Sequence, residues 1–190
     1  MRNFSFYLPI LITFVSIRTD AAIEPLKLVN DARKQINVTL GYDPGYRKID
    51  FPMGDVPLSS GVCTDVVIRA YRGQQIDLQQ LVNQDMQQAW NSYPKLWGLK
   101  TTDRNIDHRR VPNLEIFFKR QGKSLSLTDL STFKAGDIVT WRLPRNLSHI
   151  GIVSDKITAD GTPLIIHNIG QGTQEENILF KYQIVGHYRY

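Results

Sequence analysis

The feature that most constrains this chain is a change of hydrophobic period partway along it. Before Gly122 the apolar residues recur at helical spacing, and after it they alternate. Pro25, Leu28, Val29, Ala32, Ile36 and Leu40 predict a first amphipathic helix closed by Gly41. A second is predicted over about Ser60–Tyr71, with Val62, Val66, Val67 and Ala70 on one side and Gly73 ending it. A third, capped by Asp77, carries Leu78, Leu81, Val82, Met86, Ala89 and Trp90. A short helix around Leu114–Arg120 ends at Gly122. Asp137–Leu143 then alternates, His149–Ser154 and Pro163–Ile169 are short β-rich runs, and Tyr182–Tyr190 reads as a closing strand. Helices followed by strands is the α+β order, with N-terminal helices packed on a C-terminal antiparallel sheet. At 190 residues, 42% of them hydrophobic and 22% charged, one packed domain is expected.

Two segments fall outside this pattern. Residues 1–22 combine Arg2, an apolar run from Phe4 to Ile17 and small residues at Ala21 and Ala22, which reads as a cleaved signal peptide. An uncleaved anchor or a buried helix is the alternative, and Pro9 and Arg18 suit neither. The expected product is an exported domain over 23–190, periplasmic or secreted, with no stable membrane insertion. Removing Arg2, Arg18 and Asp20 lowers the formal net charge only from +5 to +4. That mild basicity suits an anionic polymer, but no Lys/Arg run exceeds two residues, which argues against a nucleic-acid partner. The second segment, Tyr42 to Ser60, is rich in proline and glycine and longer than a connection requires, as functional loops often are.

Cys63 is the only cysteine, so neither an internal disulfide nor a thiolate-rich zinc site can form. It is either a small buried apolar residue or a reactive thiol. With Ser60 as helix cap, Cys63 falls in a first turn, where unpaired N–H groups and the macrodipole favour a thiolate and an adjacent oxyanion. On that argument the thiol pKa should lie below that of a free cysteine. His149, placed at a strand start in Ser148-His149-Ile150-Gly151-Ile152-Val153, is a candidate base. Such a base needs a third polar group to fix its tautomer. His167 and Asn168 alternate across one strand, so only one of them can serve.

The order of a helix-start cysteine, Gly136-Asp137-Ile138-Val139, His149-Ile150-Gly151-Ile152-Val153 and Ile165-Ile166-His167 resembles the NlpC/P60 cell-wall peptidases, papain-related cysteine enzymes. More specifically, Gly61-Val62-Cys63-Thr64-Asp65-Val66-Val67-Ile68-Arg69-Ala70, Ile106-Asp107-His108-Arg109-Arg110-Val111-Pro112-Asn113-Leu114 and Gly186-His187-Tyr188-Arg189-Tyr190 resemble the DUF1287 family of exported bacterial proteins. The resemblance implies an NlpC/P60-like fold, with Cys63, His149 and His167 as nucleophile, base and orienter. It implies cleavage of amide bonds in peptidoglycan or another peptide, and a tyrosine upstream of the nucleophile at the oxyanion hole, with Tyr46 and Tyr42 both candidates. Cys63-Thr64-Asp65 departs from the usual Cys-Ser-Gly, and Asp107–Arg110 is an insertion absent from simpler members.

Asp65, Arg69, Asp107, His108, Arg109 and Arg110, with Asn168, are candidates for recognising substrate carboxylates. Alternatively, the charged set among them is an internal ion-pair network holding the insertion. No cofactor is expected. Asp43, Asp55 and Asp103 lack metal-ligand spacing with any histidine, and zinc on Cys63, His149 and His167 is the less favoured reading. An acyltransferase or thioesterase on the same fold, or a non-catalytic wall-binding module, are the alternatives to a hydrolase; the sequence does not fix an oligomeric state.

Overall fold

The computed structural model describes residues 23–190. The expected signal peptide therefore lies outside the described residues. Among these, no helix is long and apolar enough to cross a membrane. The architecture is α+β. Among the described residues, four α-helices, α1 (Pro25–Arg33), α2 (Cys63–Arg72), α3 (Leu78–Gln88) and α4 (Val111–Gln121), accompany an antiparallel sheet. Its strands are β3 (Lys123–Ser124), β4 (Ile138–Leu143), β5 (Leu147–Ile157), β6 (Pro163–Asn168), β7 (Thr173–Glu176) and β8 (Gln183–Arg189), in the order β3-β8-β4-β5-β6-β7. Upstream, β1 (Gly41–Tyr42) and β2 (Ser60–Gly61) form a parallel pair that joins the two ends of the long loop.

The alternation of β4–β6 divides the core between the two faces of the sheet. Ile138, Ile150, Ile152 and Ile166 point toward the helices. There they meet Leu28, Val29 and Ala32 of α1, Val66, Val67, Ala70 and Tyr71 of α2, and Leu114 and Phe118 of α4. Val139, Trp141, Val153 and Ile165 point the other way and pack under Phe133, Ile178 and Leu179. Full burial of each aliphatic side chain contributes roughly 1.5–3 kcal/mol, so helix docking, more than helix propensity, holds these short helices in place.

Two expected boundaries move, each for a local reason. The first helix stops at Arg33 rather than continuing to Leu40, because Asn37 adopts a left-handed conformation (φ 65°) and Gly41 belongs to β1. The catalytic-candidate helix is not capped by Ser60. Its N-cap is Val62, whose backbone N–H donates to the Asp65 carboxylate at 2.7 Å. Asp77 does cap α3, accepting from the Gln79 N–H at 3.1 Å.

Candidate active site: Cys63 at a cleft and a His–His–Glu chain

Cys63 is the first residue of α2 and is 3% exposed. Gly61 makes this junction possible: a Cβ there would lie 2.9 Å from the Asp65 carboxylate that bonds Val62. The ladder between β5 and β6 runs through Ile152↔Ile166 and Val153↔Ile165 and stops short of Ile150 and Asn168. Where the strands part, the backbone N–H groups of Ile150, Thr64 and Cys63 lie near enough to the Cys63 sulfur to favour its thiolate form. The sulfur therefore sits against the residue that follows His149.

His149 and His167 occupy the face of the sheet opposite Ile150 and Ile166. Their rings meet edge to face, with Nε2 of His149 and Nδ1 of His167 3.0 Å apart. This approach depends on Gly151, where a Cβ would fall 2.6 Å from Ile165 Cγ2 and 3.2 Å from His167 Cβ. Trp141, directly across the ladder, backs the His149 ring. Beyond His167, its Nε2 lies 3.0 Å from a carboxylate oxygen of Glu176 on β7. His149 is the third residue of its strand rather than the first. Between His167 and Asn168, it is His167 that reaches His149. Asn168 instead donates to the carbonyls of Gly41 (3.1 Å) and Gly61 (3.3 Å), pinning both strands of the parallel pair.

The two candidate tyrosines part company. Tyr42 lies beside Cys63 in the cleft wall, and burial together with the neighbouring Cys63 and Asp65 raises its pKa. The Tyr46 hydroxyl is 3.1 Å from Asp103 Oδ2 and accepts from Asn105 Nδ2 at 3.0 Å, so it is committed elsewhere.

The expected thiolate is corrected by the structure. Burial, chiefly, pushes the Cys63 thiol up to about 12, and the Asp65 carboxylate adds to the rise against the three N–H donors. Burial and His167 likewise hold His149 down to about 3. The pair is neutral at rest. Helix-terminal stabilisation is real but weaker than the loss of water around the sulfur.

Most of the charged candidates turn inward and are corrected as substrate contacts. Asp65 and Arg109 form a buried ion pair (Nε–Oδ1 2.9 Å, Nη2–Oδ2 3.0 Å), and Arg109 also donates to the carbonyls of Gly45 and Asp43. Arg69 reaches Asp55, Thr39 Oγ1 and the carbonyls of Val56, Pro57 and Ser60, fastening the long loop to α2. Asp107 accepts from the Asp103 N–H (2.6 Å) and from Arg110 Nη1 (3.1 Å). His108 is buried and held down to about 3 by burial and by Arg72 and Arg109. The 107–110 segment is thus a strut against the cysteine helix, with Thr64 Oγ1 also donating to the Arg109 carbonyl at 3.1 Å.

Arg110 differs. Its guanidinium lies 4.0 Å over the Trp97 ring, and both residues line a cleft of about 510 Å³ that also contains Tyr42, Tyr46, Cys63 and Pro112. The lining includes two arginines and no acidic residue. Among the described residues, no group of three or more His, Cys, Asp or Glu side chains is placed to hold a metal ion.

Among solved structures, the chain is similar to NlpC1 of Trichomonas vaginalis (TM-score 0.47, 16% identity, 91% of this chain and 46% of that one). It is also similar to NlpC2 of the same organism (TM-score 0.45, 14% identity, 90% and 48%). The chain spans about half the length of either. YijF, an uncharacterized protein of Escherichia coli (strain K12), is 55% identical over 166 residues, covering 87% of this chain and 81% of that protein. The sequence model of DUF1287, described as a domain of unknown function, matches residues 29–190, and the chain belongs to that family.

Proposed function

We propose that the protein is an exported cysteine hydrolase that cleaves amide bonds in peptidoglycan stem peptides through an acyl-enzyme on Cys63. The observations that carry the proposal are a helix-start sulfur lining the cleft, its interaction with the backbone of Ile150, the residue next to His149, and the 3.0 Å His149–His167 contact behind it. The motif resemblance to NlpC/P60 enzymes supports the same chemistry, and Arg110, stacked over Trp97 at the cleft wall, suits a carboxylate-bearing peptide.

Because thiol and imidazole are both neutral, the proton moves during attack. Cys63 Sγ adds to the scissile carbonyl carbon as His149 takes the thiol proton on Nδ1, the nitrogen not engaged by His167. The N–H of Cys63 and the Tyr42 hydroxyl stabilise the developing oxyanion. The C–N bond then breaks, and the His149 imidazolium returns its proton to the leaving amine, which leaves a thioester. Water, deprotonated by His149, attacks that thioester, releasing a carboxylic acid and restoring the thiol.

The test is incubation of residues 23–190 with purified sacculi, followed by mass spectrometry of soluble fragments. Fragments with new amine and carboxylate ends, absent with Cys63→Ala and His149→Ala, are expected. Release of transferred rather than hydrolysed acyl groups onto a labelled amine would reassign the protein as a transferase. Wall binding with no release by any variant would make it a binding module.

A further inference from the structure

The proposed mechanism requires an unprotonated Nδ1 on His149, and a neutral imidazole has two tautomers, only one of which offers it. The geometry points to Glu176 as the positioning residue that selects this tautomer, through His167, by accepting a hydrogen bond from His167 Nε2. The inference rests on the function proposed above, because it explains how that base is kept ready.

The argument follows the hydrogen bonds inward from the surface. A carboxylate only accepts, so the 3.0 Å contact between Glu176 Oε2 and His167 Nε2 places a proton on that nitrogen. Burial, opposed by Glu176 and aided by Lys181, keeps the His167 pKa below its usual value, so His167 carries one proton and its Nδ1 is a lone pair. At 3.0 Å that lone pair needs a donor, which makes His149 Nε2 an N–H and leaves His149 Nδ1 bare. Trp141 from β4 lies against His149 at the inner end, and the charged groups facing the outer end are Glu176 from β7 and Lys181 from the following segment. Without Glu176 the His167 ring is free to take either tautomer, and the reversed His149–His167 bond would put a proton on the catalytic nitrogen.

Register supports the assignment. β7 pairs with β6 so that Ile165 is opposite Glu176 and His167 opposite Gln174. Glu176 is therefore the diagonal neighbour of His167, a separation that a long side chain spans. The Glu176 side chain is 48% exposed at the sheet edge, so replacing it removes little packing.

The test is long-range ¹H–¹⁵N correlation spectroscopy of the labelled protein near neutral pH, which reads the tautomer of His149 and His167 directly and needs no substrate. In the wild type, both rings should show Nε2–H and bare Nδ1. Glu176→Ala should give mixed tautomers on both, and Glu176→Gln, which keeps an accepting oxygen, should restore much of the wild-type pattern. On any wall fragment the wild type cleaves, Glu176→Ala should lower kcat about tenfold or more with KM unchanged. A wild-type spectrum with Nδ1–H on His149, a doubly protonated His167, or an unchanged spectrum in Glu176→Ala would overturn the inference. Absence of turnover alongside the expected spectra would count against the proposed function and leave this assignment standing.

Discussion

Tyr42 and Tyr46 are four residues apart, yet only Tyr42 interacts with Cys63, the Tyr46 hydroxyl being bonded to Asp103. Tyr42→Phe should therefore lower kcat by roughly 10²–10³-fold, the usual loss for one oxyanion donor. Tyr46→Phe, which removes a bond to Asp103, should leave kcat within about threefold, so steady-state kinetics of the two variants separates them. The state of the sulfur is open to a second test. A thiol pushed up to about 12 and 3% exposed should react with iodoacetamide more slowly in the native protein than in the unfolded chain at neutral pH, with the native rate rising as pH increases. A native rate faster than the unfolded one would mean a resting thiolate and contradict the neutral pair.

At the level of elements, what was legible in the sequence followed from period and punctuation. The β4 alternation, the Asp77 cap and the Gly122 stop are local, and each appears where its chemistry places it. The two-residue β3 and the polar Thr173-Gln174-Glu175-Glu176 strand carry no apolar pattern and are made by pairing with their neighbours. Glu176 was invisible for the same reason: its role depends on register with β6, which no local signal sets. Cys63, His149 and His167 stood out because motif order carries them, whereas the choice of Tyr42 required knowing that β1 pairs with β2 beneath Asn168. Gly151 connects sequence and site most directly. Gly151→Ala should force the Ile165 side chain to shift, cost about 1–3 kcal/mol by denaturant unfolding, and separate the two histidines. An Ala variant with unchanged stability and unchanged histidine resonances would refute the close approach.

For the whole molecule, the helical and sheet halves are joined by side chains outside the cleft. Arg33 of α1 reaches Glu175 of β7 (2.8 Å), which also accepts from Ser154 Oγ (2.5 Å) and Lys156 (2.8 Å). Burial, the largest single influence, raises the Glu175 pKa, but the bonds from Arg33, Lys156 and Ser154 together outweigh it and hold the carboxyl near about 2. A depressed carboxylate contributes stability above its unfolded value of 4.5, and that contribution is lost as pH falls through about 2. Glu175→Gln should thus destabilise the protein by about 1–3 kcal/mol at neutral pH, with the gap from wild type closing between roughly pH 4.5 and 2. A pH-independent gap in denaturant melts would show that packing, not charge, makes the link. The same whole-molecule organisation sets Cys63 in the cleft, braces its helix with the strut at 107–110 and places the Ile150 backbone, next to His149, against its sulfur. Its most direct test is intact-mass analysis of the protein after rapid acid quenching of its reaction with a wall fragment. The account predicts a transient adduct on Cys63 equal to the acyl half of the cleaved peptide, formed slowly or not at all in His149→Ala. Turnover with no adduct on Cys63, at a rate that Cys63→Ala leaves unchanged, would contradict it.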